Sequence, residues 1–146
     1  APPLALAPPA PLPATRVWVD TDAACGLSAR TDPDDCLALM LLATAPGVRL
    51  TGISTVAGNA SLAVADSTTR ALVTALAADG TTLPPVHAGG ADAVAALGRA
   101  LGEGPLVVVA LGPLTNVAAA LEAEPALAHN VARLVAVMGR RRGHLF

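Results

Sequence analysis

Lysine and tyrosine are missing from this chain of 146 residues, and phenylalanine and tryptophan occur once each. All nine basic residues are arginine, set against eleven acidic ones, for a net charge of −2. Neither a basic footprint nor an aromatic stacking platform is present, which excludes a nucleic-acid module. Charged residues make up 14% and hydrophobic ones 53%, where soluble domains carry about 25% charged. Such a chain is expected to bury more surface than it can cover alone, so self-association into a homo-oligomer is expected. Two cysteines, Cys25 and Cys36, make neither a disulfide framework nor a zinc set. They read as reduced, packed thiols of a cytoplasmic protein, with Cys36 a small core residue. No run reads as a membrane span: Cys36 to Ala45 is too short, and Leu106 to Leu121 is broken by Gly112, Pro113 and Asn116. Residues 1–15 lack a basic start and read as an Ala/Pro-rich flexible tail rather than a signal peptide. Residues 16–146 are left as one domain with a real core.

What the chain does have is aspartate, gathered in one stretch. Val17-Trp18-Val19-Asp20-Thr21-Asp22 is followed, after a small-residue stretch, by Thr31-Asp32-Pro33-Asp34-Asp35. The first run reads as a buried strand ending in Asp-Thr-Asp. The second opens an apolar helix, with Asp32 as N-cap and Pro33 at the first helical position. Asp34 and Asp35 in a first helical turn offset the helix dipole and need no ligand. Two carboxylates at a buried strand end are costly without a partner. A hard cation with all-oxygen ligation, Ca²⁺ or Mg²⁺, would keep the cluster ionised.

Strands and helices alternate along the rest. The pattern predicts strands over 48–56, 84–88, 106–111 and 134–138. Helices are predicted to about Ala45, then over 61–78, 91–101 and from Gly112-Pro113 onward, with a helical turn after Pro125. Leu62, Ala65, Thr69, Leu72 and Leu76 make one buried stripe, and Leu114, Val117, Ala118 and Leu121 another. This is the pattern of a parallel, doubly wound, Rossmann-like α/β sheet. Ligands of such sheets bind beyond the carboxyl ends of the strands. Asp20 to Asp22, Asn59, Gly89-Gly90, Leu111-Gly112 and Met138-Gly139 all fall there. Singly, each has a plain reading: Asn59 a turn residue, Gly112-Pro113 a helix start, His87 a strand-end histidine, Met138 core.

Together these residues resemble the inosine-uridine-preferring nucleoside hydrolases, which cleave the N-glycosidic bond of ribonucleosides. Three blocks carry the resemblance. Asp20-Thr21-Asp22 with Asp34-Asp35 looks like the family's Asp-x-Asp-Pro-Gly-x-Asp-Asp. Gly52 to Asn59 looks like its second strand and asparagine. Leu111-Gly112-Pro113-Leu114-Thr115-Asn116, followed by Val135 to Gly139, looks like its Gly-Pro-Leu-Thr-Asn and Val-Met-Gly-Gly blocks. The match runs from about residue 16 to 140 and to the N-terminal half of the family only, so a truncated version of that fold is expected. Eleven residues separate Asp22 from Asp34 where the family has three, which makes Ala23 to Thr31 a loop insertion.

The resemblance implies Ca²⁺ held by Asp22, Asp35 and the backbone carbonyl of Leu111. It implies Asp22 as general base on the metal-bound water, and Asp34, Asn59 and Met138 as contacts to the ribonucleoside. Asp20 would orient the cluster from behind. Such chemistry suits an oxocarbenium-like transition state. Two rivals stand beside it. One is a non-catalytic homologue that binds cation or nucleoside weakly. The other is a resemblance to the haloacid-dehalogenase phosphatases, with Asp20 as nucleophile and Mg²⁺ as metal; that family usually needs a downstream lysine, and here there is none.

Overall fold

The computed structural model describes residues 13–29 and 31–138. Most of the expected tail, residues 1–12, lies outside the described residues, as does Gly139.

Five strands form one parallel sheet: β1 (Thr15–Thr21), β2 (Val48–Thr55), β3 (Val86–His87), β4 (Leu106–Ala110) and β5 (Val131–Ala136). Their spatial order is β3-β2-β1-β4-β5. Four helices connect them: α1 (Asp34–Thr44), α2 (Leu62–Ala78), α3 (Ala91–Gly102) and α4 (Thr115–Ala123). A 3₁₀ turn at Pro125–Asn130 leads into β5. The doubly wound sheet read from the sequence is the observed fold. Alternate side chains of a strand point to opposite faces, and both faces are apolar. Val17 and Val19 of β1 pack with Leu39 of α1 and Ile53, and with Leu72 and Val73 of α2. Trp18 packs the other way, against Leu97 and Leu101 of α3 and Val117 of α4. The two faces thus hold separate cores.

Element boundaries depart from expectation by small steps. Pro33, not Asp32, occupies the N-cap position of α1, and Asp34 is its first residue; Asp32 lies one residue before the cap, where its side chain accepts the Asp34 N–H at 3.2 Å. α4 begins at Thr115 rather than at Gly112-Pro113. β5 begins three residues before Leu134, at Val131. The buried face of α4 is Asn116, Val117 and Ala120, and Ala118 is exposed. On α2 the stripe is right, with Ala65 and Thr69 buried and the three leucines half-buried at its margin.

The reading of Cys25 and Cys36 as reduced thiols is corrected: they form a disulfide. The loop after β1 folds back on α1, bringing the two Cα atoms to 6.4 Å, inside the roughly 4.4–6.8 Å that a disulfide spans. Cys36 is buried, as expected, but bonded. The cytoplasmic location was inferred from reduced thiols, and that ground is removed. Among the described residues no helix is long and apolar enough to cross a membrane.

Among the described residues, large apolar side chains remain uncovered on α1, on and after β5, and at Leu27 of the loop after β1. Leu37, Met40 and Leu41 on α1 are exposed, as are Leu134, Val135, Val137 and Met138 on and after the edge strand β5.

Candidate functional site

The strands end level with one another, which brings their last residues to one rim. Asp20 lies opposite Ser54 of β2 and Ala110 of β4, and Ala110 lies opposite Ala136 of β5. The ladder runs slightly past the strands: Leu111 N–H donates to the Asp20 carbonyl (2.8 Å), Val56 N–H to that of Thr21 (3.0 Å), and Val137 N–H to that of Ala110 (2.9 Å). Beyond β1 and β4, where the strand order reverses, doubly wound sheets open a crevice.

Asp20 is fully buried on the α3/α4 side. Its Oδ1 accepts from Ser54 Oγ (2.5 Å) and Asn116 Nδ2 (2.8 Å). Ser54 Oγ in turn accepts from Trp18 Nε1 (2.8 Å). Asn116 also donates to the Thr55 carbonyl (2.9 Å) and accepts the Gly90 N–H (3.1 Å). The Asp20 carboxyl is pushed up by burial, against the pull of the Ser54 and Asn116 bonds. Its Oδ2 is buried without a partner among the described residues.

Thr21 turns to the α1 side, where its hydroxyl donates to Asp35 Oδ2 (2.5 Å). The backbone N–H of Asp22 donates to the same oxygen (3.0 Å). Burial, and then the neighbouring charge of Asp22, push the Asp35 carboxyl up to about 6 despite the Thr21 bond. Asp22 Oδ2 accepts the backbone N–H of Asn59 at 2.7 Å, and Asn59 Nδ2 lies 3.5 Å from Oδ1. This pairing explains two glycines. A Cβ on Gly58 would run into the Asp22 carboxylate, and one on Gly112 would meet Val56 and Asp22. Asp34 is exposed, and its Oδ1 accepts the Asp35 N–H (2.9 Å).

A cavity of about 530 Å³ opens at this point. Asp22, Asp34, Asp35 and Asn59 line it, with Leu111, Gly112 and Pro113 beyond β4 and Val137 and Met138 beyond β5. Every site residue named from the sequence therefore meets in one cavity, except Asp20. Asp32, read as a helix cap, lines it too. The loop 23–31 does not separate Asp22 from the helix-borne pair.

The donor set tests the expected cation. Asp22, Asp35 and the carbonyl of Leu111 are all oxygen donors, which fits a hard cation rather than a soft one. Two carboxylates crowded at one buried point fit a site that gains from positive charge. Among the described residues, no group of three His, Cys, Asp or Glu side chains is arranged to hold a metal ion.

Sequence reasoning passed over Thr21, Ser54 and Asn116. A hydroxyl between two strand-end aspartates was the available signal for Thr21. For Asn116 it was a polar side chain beside Val117 on the inner face of α4. His87, read as a strand-end residue, stacks on Trp18 (centroids 5.8 Å apart) and meets Asp92 at 3.1 Å.

Residues 82–144 match the family model described as inosine-uridine preferring nucleoside hydrolase. No curated relative matches the chain. Among solved structures, a purine-preferring ribonucleoside hydrolase from Gardnerella vaginalis superposes with a TM-score of 0.72 at 21% identity, over 86% of this chain and 49% of its own. A plant nucleoside hydrolase gives 0.71 at 23% identity, over 88% and 49%. An inosine-uridine preferring nucleoside hydrolase from Bacillus anthracis gives 0.67 at 22% identity, over 88% and 52%. The chain spans about half the length of these structures, and the likeness to them is one of fold. The resemblance read from the sequence is thus met by the family model over its third block. The first two blocks lie outside residues 82–144.

Proposed function

We propose that this chain, with the fold of the nucleoside hydrolases and the match to their family model over residues 82–144, forms the site of an N-ribosyl hydrolase acting on ribonucleosides. The observation that carries the reading is the meeting of Asp22, Asp34, Asp35, Asn59 and Met138 around one cavity. Asp22 is the general base, taking a proton from the water that attacks the anomeric carbon as the bond to the base breaks. Asn59 orients that carboxylate through the bond to its Oδ2. Asp34, exposed at the rim, hydrogen-bonds a ribose hydroxyl. Met138 lines the cavity with apolar surface suited to the sugar's carbon face. The negative charge of Asp22 and Asp35 favours a transition state with oxocarbenium character. Asp20, too deep to touch substrate, holds the ends of β1 and β2 and the start of α4 together.

Asp22, Asp35 and the Leu111 carbonyl would hold the cation, Ca²⁺ by the resemblance. Bound there, it would supply a grip on vicinal hydroxyls and a lowered pKa for water. Hydrolysis of inosine and uridine in the presence of Ca²⁺, followed as release of free base, tests the reading. Asp22→Ala is expected to abolish it with the fold intact, and retained turnover would overturn the base assignment.

A second reading is a non-catalytic domain that binds cation or nucleoside without turnover. It predicts calorimetric binding with no base release. The phosphatase reading loses its nucleophile, because an attacking Asp20 would have to be open to substrate and is fully buried.

A further inference from the structure

The loop between the two site carboxylates carries a covalent tie. Cys25 sits in that loop, and Cys36 follows Asp35 directly on α1. Their bond closes residues 25–36, the greater part of the segment that leads from Asp22 to Asp35. Within it, Leu27 N–H donates to the Ala24 carbonyl and Ser28 N–H to Thr31 Oγ1, so these bonds stay local to the loop. What joins Asp22 to Asp35 across the closed segment is the Asp22 N–H bond to Asp35 Oδ2, with Thr21 Oγ1 on the same oxygen. Like charge on the two carboxylates opposes that closeness. A cross-link over a short segment restrains such a pair by removing open arrangements of the chain between them.

The bond is also reachable. Cys36 is buried, but Cys25 is half-exposed. Its side borders a second groove, of about 470 Å³, lined by Leu27 of the loop and by Ser67, Thr68 and Ala71 of α2. Cys25 is therefore the end of the bond that borders open space, and Cys36 is the buried end.

We propose that the Cys25–Cys36 disulfide is a redox latch on the cavity: closed, it holds Asp22 against Asp35, and opened by a dithiol it lets the loop and the first turn of α1 separate. One thiolate of the dithiol attacks Cys25 Sγ, the S–S bond breaks, and Cys36 leaves as a thiolate that takes up a proton. The second thiol of the reagent then attacks the mixed disulfide and frees Cys25. In sum, two electrons and two protons pass from the dithiol to the protein, and the dithiol becomes a disulfide. The consequence for cation binding rests on the functional reading given above; the latch itself does not.

The test compares the full chain, oxidised and after dithiothreitol, by amide hydrogen exchange and by calorimetric titration with Ca²⁺. Reduction is expected to speed exchange across residues 22–36 by about tenfold while β4 and α3 stay unchanged. It is also expected to weaken Ca²⁺ binding by a similar factor. Cys25→Ser, a change at the half-exposed end, is expected to show the reduced behaviour without reductant and no response to it. Equal exchange in both states, or free thiols at both positions after air oxidation, overturns the latch. Absence of Ca²⁺ binding in the oxidised chain counts against the functional reading instead, and the exchange result still decides the latch.

Discussion

Asp35 Oδ2 accepts the backbone N–H of Asp22, thirteen residues earlier in the chain, at 3.0 Å. That bond joins the end of the central strand to the first turn of α1, so the length of the loop between them is immaterial to the meeting of the two carboxylates. The loop folds back on α1, where Cys25 bonds Cys36. The site is organised by the strand end and the helix start, not by the spacing between them.

A first prediction concerns pH. Asp35 has a folded pKa of about 6 against 3.8 in the open chain. Between those values the folded chain binds more protons than the unfolded one, so stability falls as pH rises from about 4 to 6 and is level above. The burial of Asp20 acts in the same direction. Asp35→Asn keeps an oxygen to accept from Thr21 and Asp22. It is expected to flatten the Asp35 part of this slope and to raise the Tm of the metal-free chain at pH 7. Thermal melts from pH 4 to 8 check it, and an unaltered slope in the variant would count against Asp35 as the group responsible.

The glycines around Asp22 give a second. At Gly58 and Gly112 a methyl group would displace the Asp22 carboxylate. Gly112→Ala, which also meets Val56, is expected to lose about 1–3 kcal/mol of stability, as overpacked sites do. On the proposed role of Asp22 as general base, both variants are expected to lower any inosine hydrolysis more than tenfold by moving its carboxylate. Urea unfolding and steady-state kinetics separate the two effects; full activity in Gly58→Ala would mean that Asp22 is not held where the reaction needs it.

Asn116 gives a third. Its side chain bonds Asp20, the Thr55 carbonyl and the Gly90 N–H. Asn116→Leu leaves all three without that partner, at an expected cost of about 3 kcal/mol from buried unpaired groups. Chemical denaturation measures it, and a loss under about 0.5 kcal/mol would place the variant among neutral surface changes and refute the role of Asn116 as a junction.

The uncovered apolar side chains give a fourth. Leu41 on α1 and Val137 just past the edge strand β5 are 69% and 60% exposed, and exposed apolar surface of this kind favours association. Leu41→Glu with Val137→Glu is expected to shift the chain toward monomer in sedimentation velocity. A wild-type chain that sediments as a monomer at all concentrations would rule out self-association through this surface.

The sequence by itself determined the order and type of the elements and the rim on which the chemistry sits. Apolar runs flanked by glycine, proline and capping residues specify strands and helices locally, and strand–helix alternation allows few topologies. The aspartates and Asn59 were legible because each stands at a strand end or a helix start, where local pattern is strongest. Only the tertiary structure decided which of them meet. Asp20 and Asp22 lie two residues apart, yet one is sealed among Ser54 and Asn116 while the other lines the cavity. β1 ends at Thr21, so Asp22 lies past the strand and escapes the two-residue period that would have put it on the face of Asp20, and the residues that seal Asp20 come from distant sequence. The Cys25–Cys36 bond was hidden for the same reason: two cysteines carry no local sign of pairing, and only the loop's return onto α1 sets their distance.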